Sequence, residues 1–200
     1  MGSPLLFVLH SGIINKIYSL QEANRRGATL GFSLKADFVC NSIYDIPCSA
    51  LAERGISLLL ADLDNTLAPY GAALPDERVK NWCRELKDVG INLFVLSNNR
   101  RDERPRVFCQ AMNIPFIGHA GKPKTAGFYL AMEQMNVNPG QTAIVGDQVF
   151  TDVLGGNRAE VMTILVKPIS LAGNPGRYLR YAAEFPFRYS SLTKGKGFEK

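Results

Sequence analysis

Leu58-Leu59-Leu60-Ala61-Asp62-Leu63-Asp64-Asn65-Thr66 is the stretch on which the reading of this chain turns. The segment Ile56–Leu63 is almost wholly apolar until carboxylates interrupt it. A short run of this kind, without helical spacing, predicts a strand buried on both faces. Two acids at the end of a buried strand repel each other unless a cation or a shared proton relieves them.

Outward from that strand the chain alternates. Asp76–Val89 places Val79, Trp82, Cys83, Leu86 and Val89 on one helical face, and Gly90 stops it. Ile91–Leu96 reads as a second strand. Asp102–Met112 reads as a helix with Pro105 in its first turn, and Ile114–Ile117 as a short strand. Thr125–Met135 is helical in pattern, and Asn138-Pro139-Gly140 is a turn. Thr142–Val145, a helix over Phe150–Ala159 and a strand over Met162–Val166 complete the series. The order predicts an α/β Rossmann-like fold, a parallel sheet of about five strands with helices on both faces. Residues 36–170 form the expected core domain. Residues 1–35 are an extension in which Ile13, Ile14, Ile17, Tyr18 and Leu20 share a helical face, and 171–200 are a basic, aromatic C-terminal segment with a disordered end.

Composition excludes several classes. No apolar run approaches the roughly 20 residues that span a bilayer. Cys40, Cys48, Cys83 and Cys109 form no C-x-x-C pair, so they are expected to be reduced thiols in a cytoplasmic protein. His10 and His119 have no metal-ligand spacing, which disfavours zinc. The net charge is +5, and seven Lys/Arg against two Asp/Glu between Lys167 and Lys200 account for all of it. Such a segment either attracts a phosphate-rich partner, an anionic membrane ahead of nucleic acid, or is a solvated tail.

In parallel sheets ligands bind beyond the carboxyl ends of the strands. Asp62 and Asp64 follow the first strand, Ser97 and Asn98 the second, His119, Lys122 and Lys124 the third, and Asp147 the fourth. Three carboxylates of this kind suit Mg²⁺. A carboxylate can attack phosphorus, a second can protonate the leaving alcohol, and Lys122 with Ser97 can hold the transferring phosphoryl. Each element is weak alone: a strand can simply end in Asp, a Ser there is usually a cap, and a Lys is usually solvated. Their occurrence in order, each after a strand, carries the reading.

This set resembles the haloacid dehalogenase-type (HAD) phosphatases. D-x-D-x-T is matched by Asp62–Thr66, the strand ending in Ser by Phe94–Asn98, K-P by Lys122-Pro123, and G-D-x-x-x-x-D by Gly146–Asp152. The YqeG-type subgroup is closer still, with S-I-Y-D-I at Ser42–Ile46 and G-D-Q-x-x-T-D-V-x-G-G-N-R at Gly146–Arg158. The resemblance implies that Asp62 is the nucleophile and Asp64 the general acid/base. Mg²⁺ would be held by Asp62, the backbone carbonyl of Asp64, and Asp147. Ser97 and Lys122 would bind the phosphoryl group, with Lys124 as competitor for the lysine role, and Asp152 would support the lysine or a metal-bound water. Thr66, Asn98, Arg100 and Arg101 are further candidates for substrate contact.

The spacings from Thr66 to Ser97 and from Ser97 to Lys122 leave no room for a cap domain, so an open site is expected. An open site suits a phosphate on something large: a lipid headgroup such as phosphatidylglycerophosphate, since the YqeG-type sequences resemble the phosphatases of that lipid. A soluble phosphometabolite, a nucleic-acid 3′-phosphate, and a non-catalytic phosphate-binding role are the alternatives. Arg100, Arg101, Arg104 and Arg106 either contact phosphate or form a solvated helix start with Asp102 and Glu103. Arg177–Tyr181 and Phe185–Tyr189 fit an interfacial surface, nucleic-acid stacking, or a helix docked on the sheet edge.

Overall fold

The computed structural model describes residues 33–99, 103–171 and 175–194. The apolar face expected over residues 13–20, the pair Arg100 and Arg101, and the C-terminal end from residue 195 lie outside these. Six parallel strands form one sheet: β1 (Phe38–Cys40), β2 (Leu58–Ala61), β3 (Asn92–Leu96), β4 (Phe116–Ile117), β5 (Thr142–Gly146) and β6 (Met162–Val166), in the order β1-β6-β5-β2-β3-β4. The helices are α1 (Cys48–Glu53), α2 (Glu77–Asp88), α3 (Glu103–Met112), α4 (Ala126–Gln134), α5 (Leu154–Arg158) and α6 (Pro175–Lys194).

The apolar run at β2 has the expected cause. Leu58 and Leu60 point to one layer with Phe94, Leu96 and Ile144, where α4 supplies Phe128, Ala131 and Met132. Leu59 and Ala61 point to the other with Leu93, Val95 and Val145, where α2 supplies Trp82 and Leu86 and α3 supplies Phe108. Successive residues thus serve opposite faces, and neither face meets water. Asp76 starts α2 by accepting a hydrogen bond from the Val79 amide at 2.8 Å.

The sheet carries one edge strand beyond the five that the sequence marks. The sixth, β1, is three half-buried residues at the sheet edge, too short to show a pattern. Its place is fixed by Asp37, whose carboxylate accepts from the amide and hydroxyl of Thr163 at 2.8 and 3.0 Å. The expected helix over Phe150–Ala159 is also different: the chain first makes a wide π turn, Val149–Val153, and only then enters α5. The wide turn brings Asp152 back to accept from the Gln148 amide at 3.1 Å. A single side chain thus closes the loop after β5. The C-terminal segment is a 20-residue helix, α6, packed against β1 and the π turn, with Pro186 inside it. Among the described residues no helix is long and apolar enough to cross a membrane.

Gly156 lets α5 lie against the sheet. A Cβ there would sit 2.5 Å from Ile144 Cγ2 and 2.6 Å from Thr163 Cγ2, both on strands that the helix crosses. Gly156→Ala is therefore expected to cost about 1–3 kcal/mol. The measurement is urea unfolding, with a lower midpoint and an unchanged slope; an unshifted midpoint would mean that α5 can back away freely.

Candidate active site

Strand β2 ends where its neighbours diverge: β3 and β4 lie on one side of it, β5 and β6 on the other. At such a switch point the loops part and leave a crevice. Asp62 enters it while still on the ladder, its amide bonded to the Val145 carbonyl at 2.9 Å. Asn65 then reverses the chain in the left-handed region, at φ 67°, and its amide bonds to the Ala68 carbonyl at 2.8 Å. Asparagine adopts that conformation more readily than most residues. Asp147 follows β5, directly beside β2.

Lys122 arrives from the loop after β4. Asn98 seats it twice, donating to its carbonyl and accepting from its amide, both at 2.9 Å. The ammonium then reaches Asp62 Oδ1 and Asp152 Oδ1, each at 2.7 Å, with all three side chains buried. Lys124 is exposed. Gly146 makes this arrangement possible, since a Cβ there would run into the Asp152 side chain.

Asp62, Asp147 and Asp152 offer carboxylate oxygens within 4.8 Å of one another. Burial pushes the Asp62 carboxyl up to about 7; Lys122 works against this, while Asp152 and Asp64 add to it. Burial likewise holds Asp147 well above the usual carboxylate range, reinforced by Asp62 and Asp152 and opposed by Arg188 and Lys122. Burial alone would lower the Lys122 ammonium, but Asp152 and Asp62 overcome it and raise it. Three carboxylates against one bonded lysine leave negative charge uncompensated, and the protein responds by holding protons.

The other candidates are placed as follows. Thr66 is buried, with its hydroxyl 3.5 Å from Asp147 Oδ1. Ser97 is buried at the end of β3, and its oxygen accepts from the Asn99 amide at 3.1 Å, which leaves its hydroxyl hydrogen to donate. Asn98 spends both ends of its amide on Lys122. The Asp64 side chain lines the cleft and is paired with Arg104. Arg104 also donates to the carbonyls of Ala72 at 2.7 Å and Pro69 at 3.0 Å, so this member of the arginine cluster ties α3 to the loop after β2. Arg100 and Arg101 lie outside the described residues.

Two residues that the sequence reading missed complete the site. Glu184 and Arg188, four apart on α6, are buried and paired at 3.1 Å. Arg188 donates to the Asp147 carbonyl and, at 3.3 Å, to that of Val166. Glu184 accepts from the Phe150 amide at 3.3 Å. An i, i+4 acid–base pair ordinarily marks a solvated helix face, so its spacing gave no sign that this pair is buried. Helix α6 therefore forms one wall of a cleft of about 640 Å³, lined by Asp62, Asp64, Lys122 and Asp147 on the floor and by Arg180 and Tyr181 on the wall.

Residues 25–160 match the haloacid dehalogenase-like hydrolase family. The chain belongs to that family. It is 37% identical over 166 residues to the probable phosphatase YqeG of Bacillus subtilis, covering 83% of this chain and 94% of that protein. It is 29% identical over 141 residues to phosphatidylglycerophosphate phosphatase 1, chloroplastic/mitochondrial, of Arabidopsis thaliana, covering 65% of this chain but 40% of that protein. A solved structure, the cobalt-bound deoxy-D-mannose-octulosonate 8-phosphate phosphatase of Haemophilus influenzae, superposes with a TM-score of 0.46 at 17% identity over 72% of this chain and 96% of the other. The matched residues take in β1 to β5 and the acidic groups at the switch point.

A divalent cation fits this site on its own chemistry. The three carboxylates are hard oxygen donors, and Asp62 Oδ2 is buried with no hydrogen-bond partner among the described residues. Without a cation, stability should fall as pH rises from about 4 to about 7. Over that window the folded chain keeps protons on Asp62 and Asp147 that the unfolded chain has released. Asp147→Asn, melted in chelator, is expected to flatten that slope and to melt above the native chain at the upper end of the window, about pH 7. A steeper slope would show that Asp147 is not part of the repelling cluster.

Proposed function

We propose that the chain is a Mg²⁺-dependent phosphomonoesterase that forms an aspartyl-phosphate on Asp62. The observation that carries this reading is the buried Asp62 carboxylate, with one oxygen held by Lys122 and the other unpartnered among the described residues, on the floor of the cleft. In the first step the free oxygen attacks phosphorus and the P–O bond to the alcohol breaks. Asp64 gives the departing oxygen a proton. In the second step water attacks the phosphorus, Asp64 takes its proton, and the Asp62 carboxylate leaves. Lys122 and the Ser97 hydroxyl hold the phosphoryl oxygens throughout. Asp152 positions Lys122 from its far side. Asp62, Asp147 and the Asp64 carbonyl would hold Mg²⁺, which when bound neutralises charge on the phosphoryl oxygens.

For the substrate we favour a phospholipid headgroup such as phosphatidylglycerophosphate. The likeness to a relative bearing that name supports it. So does the cleft, whose rim carries exposed Tyr70 and the aromatic helix α6. A soluble phosphomonoester or a nucleic-acid 3′-phosphate would use the same residues and is separated only by rate.

Two outcomes are expected. Asp62→Asn lowers release of phosphate from an aryl phosphate at least about a thousandfold; survival of that activity would remove Asp62 from the chemistry. In a panel of lipid, nucleotide and sugar phosphates, phosphatidylglycerophosphate in mixed micelles is turned over with the highest kcat/KM. A sugar or nucleotide phosphate ahead of it would overturn the lipid assignment and leave the mechanism standing.

A further inference from the structure

Helix α6 buries an ion pair beside Phe187 on its inward side and leaves large apolar residues exposed on its outward side. A helix on a globular domain normally turns its apolar stripe inward and its charges to water. Here Glu184, Arg188 and Ser191 are buried at 1%, 8% and 1% exposure. The outward face carries Tyr178, Leu179, Phe185 and Tyr189, which are 54–76% exposed, with Ala182 and Pro186 exposed among them. Positions 178, 182, 185 and 189 follow helical spacing, so they form one stripe rather than scattered contacts. The helix is held from its inward side, by Glu184, Arg188 and Ser191 and by Phe187, which packs against the cluster of Ala36, Val149, Val153 and Leu165, so the outward stripe is not what docks it.

Two further observations identify what the stripe meets. First, Glu184 is the only acid in α6, and it is consumed by Arg188 and the Phe150 amide. The outward surface of the helix therefore presents no negative side chain, while the segment from Lys167 to Lys200 carries the whole net charge of +5. That balance repels a second copy of the same face and attracts an anionic one. Second, the stripe adjoins the cleft. Gly176, Arg180 and Tyr181 of the same helix line the cleft, Tyr70 and Leu171 line it as well, and Ile169, close to Leu171 in the chain, is exposed. The Ile169 amide bonds to the Asn65 carbonyl at 3.0 Å, which places that residue next to the catalytic loop. Tyrosine, phenylalanine and leucine beside basic residues are the composition of a surface that enters the headgroup boundary.

We infer that the outward face of α6, through Tyr178, Leu179, Phe185 and Tyr189, seats the protein on an anionic lipid bilayer with the cleft opening onto the headgroup layer. This rests on the lipid-phosphate reading of the site and gives that reading its surface. A headgroup phosphate reaches Asp62 along the wall formed by α6, and the enzyme has no need to lift the lipid out of the membrane.

The test is flotation of the full chain with vesicles of phosphatidylcholine and phosphatidylglycerol, which contain no phosphomonoester. The chain is expected to float with these vesicles and to stay behind with phosphatidylcholine alone. Leu179→Glu combined with Phe185→Glu should lower the partition coefficient about tenfold or more, with aryl-phosphate hydrolysis unchanged. A Phe185→Trp chain gives a second readout: the native Trp82 is 2% exposed in the core, so quenching by brominated lipid reports the new indole. Failure of the native chain to float, flotation of the double variant undiminished, or an introduced indole that brominated lipid leaves unquenched overturns the inference. So does a dimer in light scattering that the double variant breaks, or displacement from vesicles by RNA at equal phosphate. Because binding is read without turnover, these failures leave the phosphatase reading intact. Tight flotation without hydrolysis of phosphatidylglycerophosphate would sink the substrate assignment and leave the surface.

Discussion

A buried ammonium between two buried carboxylates governs this molecule. Charges taken out of water are expensive unless they are paired and hydrogen-bonded. Lys122 is paired twice, with Asp62 and with Asp152, and its backbone is clamped by Asn98. Each partner comes from a different strand end, so the pairing requires β2, β3, β4 and β5 to be in register. Gly146 and the π turn bring Asp152 into contact. The fold around the site can be understood as the set of supports that this one lysine needs.

The balance is incomplete. One bonded lysine among three close carboxylates leaves residual negative charge, and Asp62 keeps an oxygen that nothing among the described residues satisfies. A buried polar atom without a partner is a standing cost, and such costs persist where function uses them. Arg188 limits the strain from outside: its guanidinium reaches the Asp147 carbonyl rather than the carboxylate, so it steadies the loop without occupying the acid. Arg104 steadies the other flank, holding Asp64 against the loop carbonyls of Pro69 and Ala72.

Much of this was legible in the chain. The run Leu58–Ala61 and its carboxylates announced the central strand, because a strand buried on two faces has no room for alternation. Helix α2 was readable from its spacing and from Gly90 after it, as was the gathering of Asp62, Ser97, Lys122 and Asp147 at one edge. What escaped has physical reasons. Three residues of β1 are too few for a period, and Asp37 holds them by a side chain to the backbone of a strand far along the sequence. The π turn has no composition of its own. Glu184 and Arg188 were hidden because their helix looks like an aromatic surface element, and only the tertiary contact shows that its polar face is the buried one. The arginine cluster was read as phosphate contacts or solvated charge, yet Arg104 is neither of these.

Arg188 also fixes when the site can exist. Asp62, Asp64, Asp147 and Asp152 all precede α5, whereas the guanidinium that steadies the Asp147 loop comes later in the chain, from α6. During synthesis the sheet can close and the carboxylates can meet while α6 is still within the ribosome. For that interval the nascent chain carries an acidic pocket with one wall missing, and the emergence of α6 finishes it.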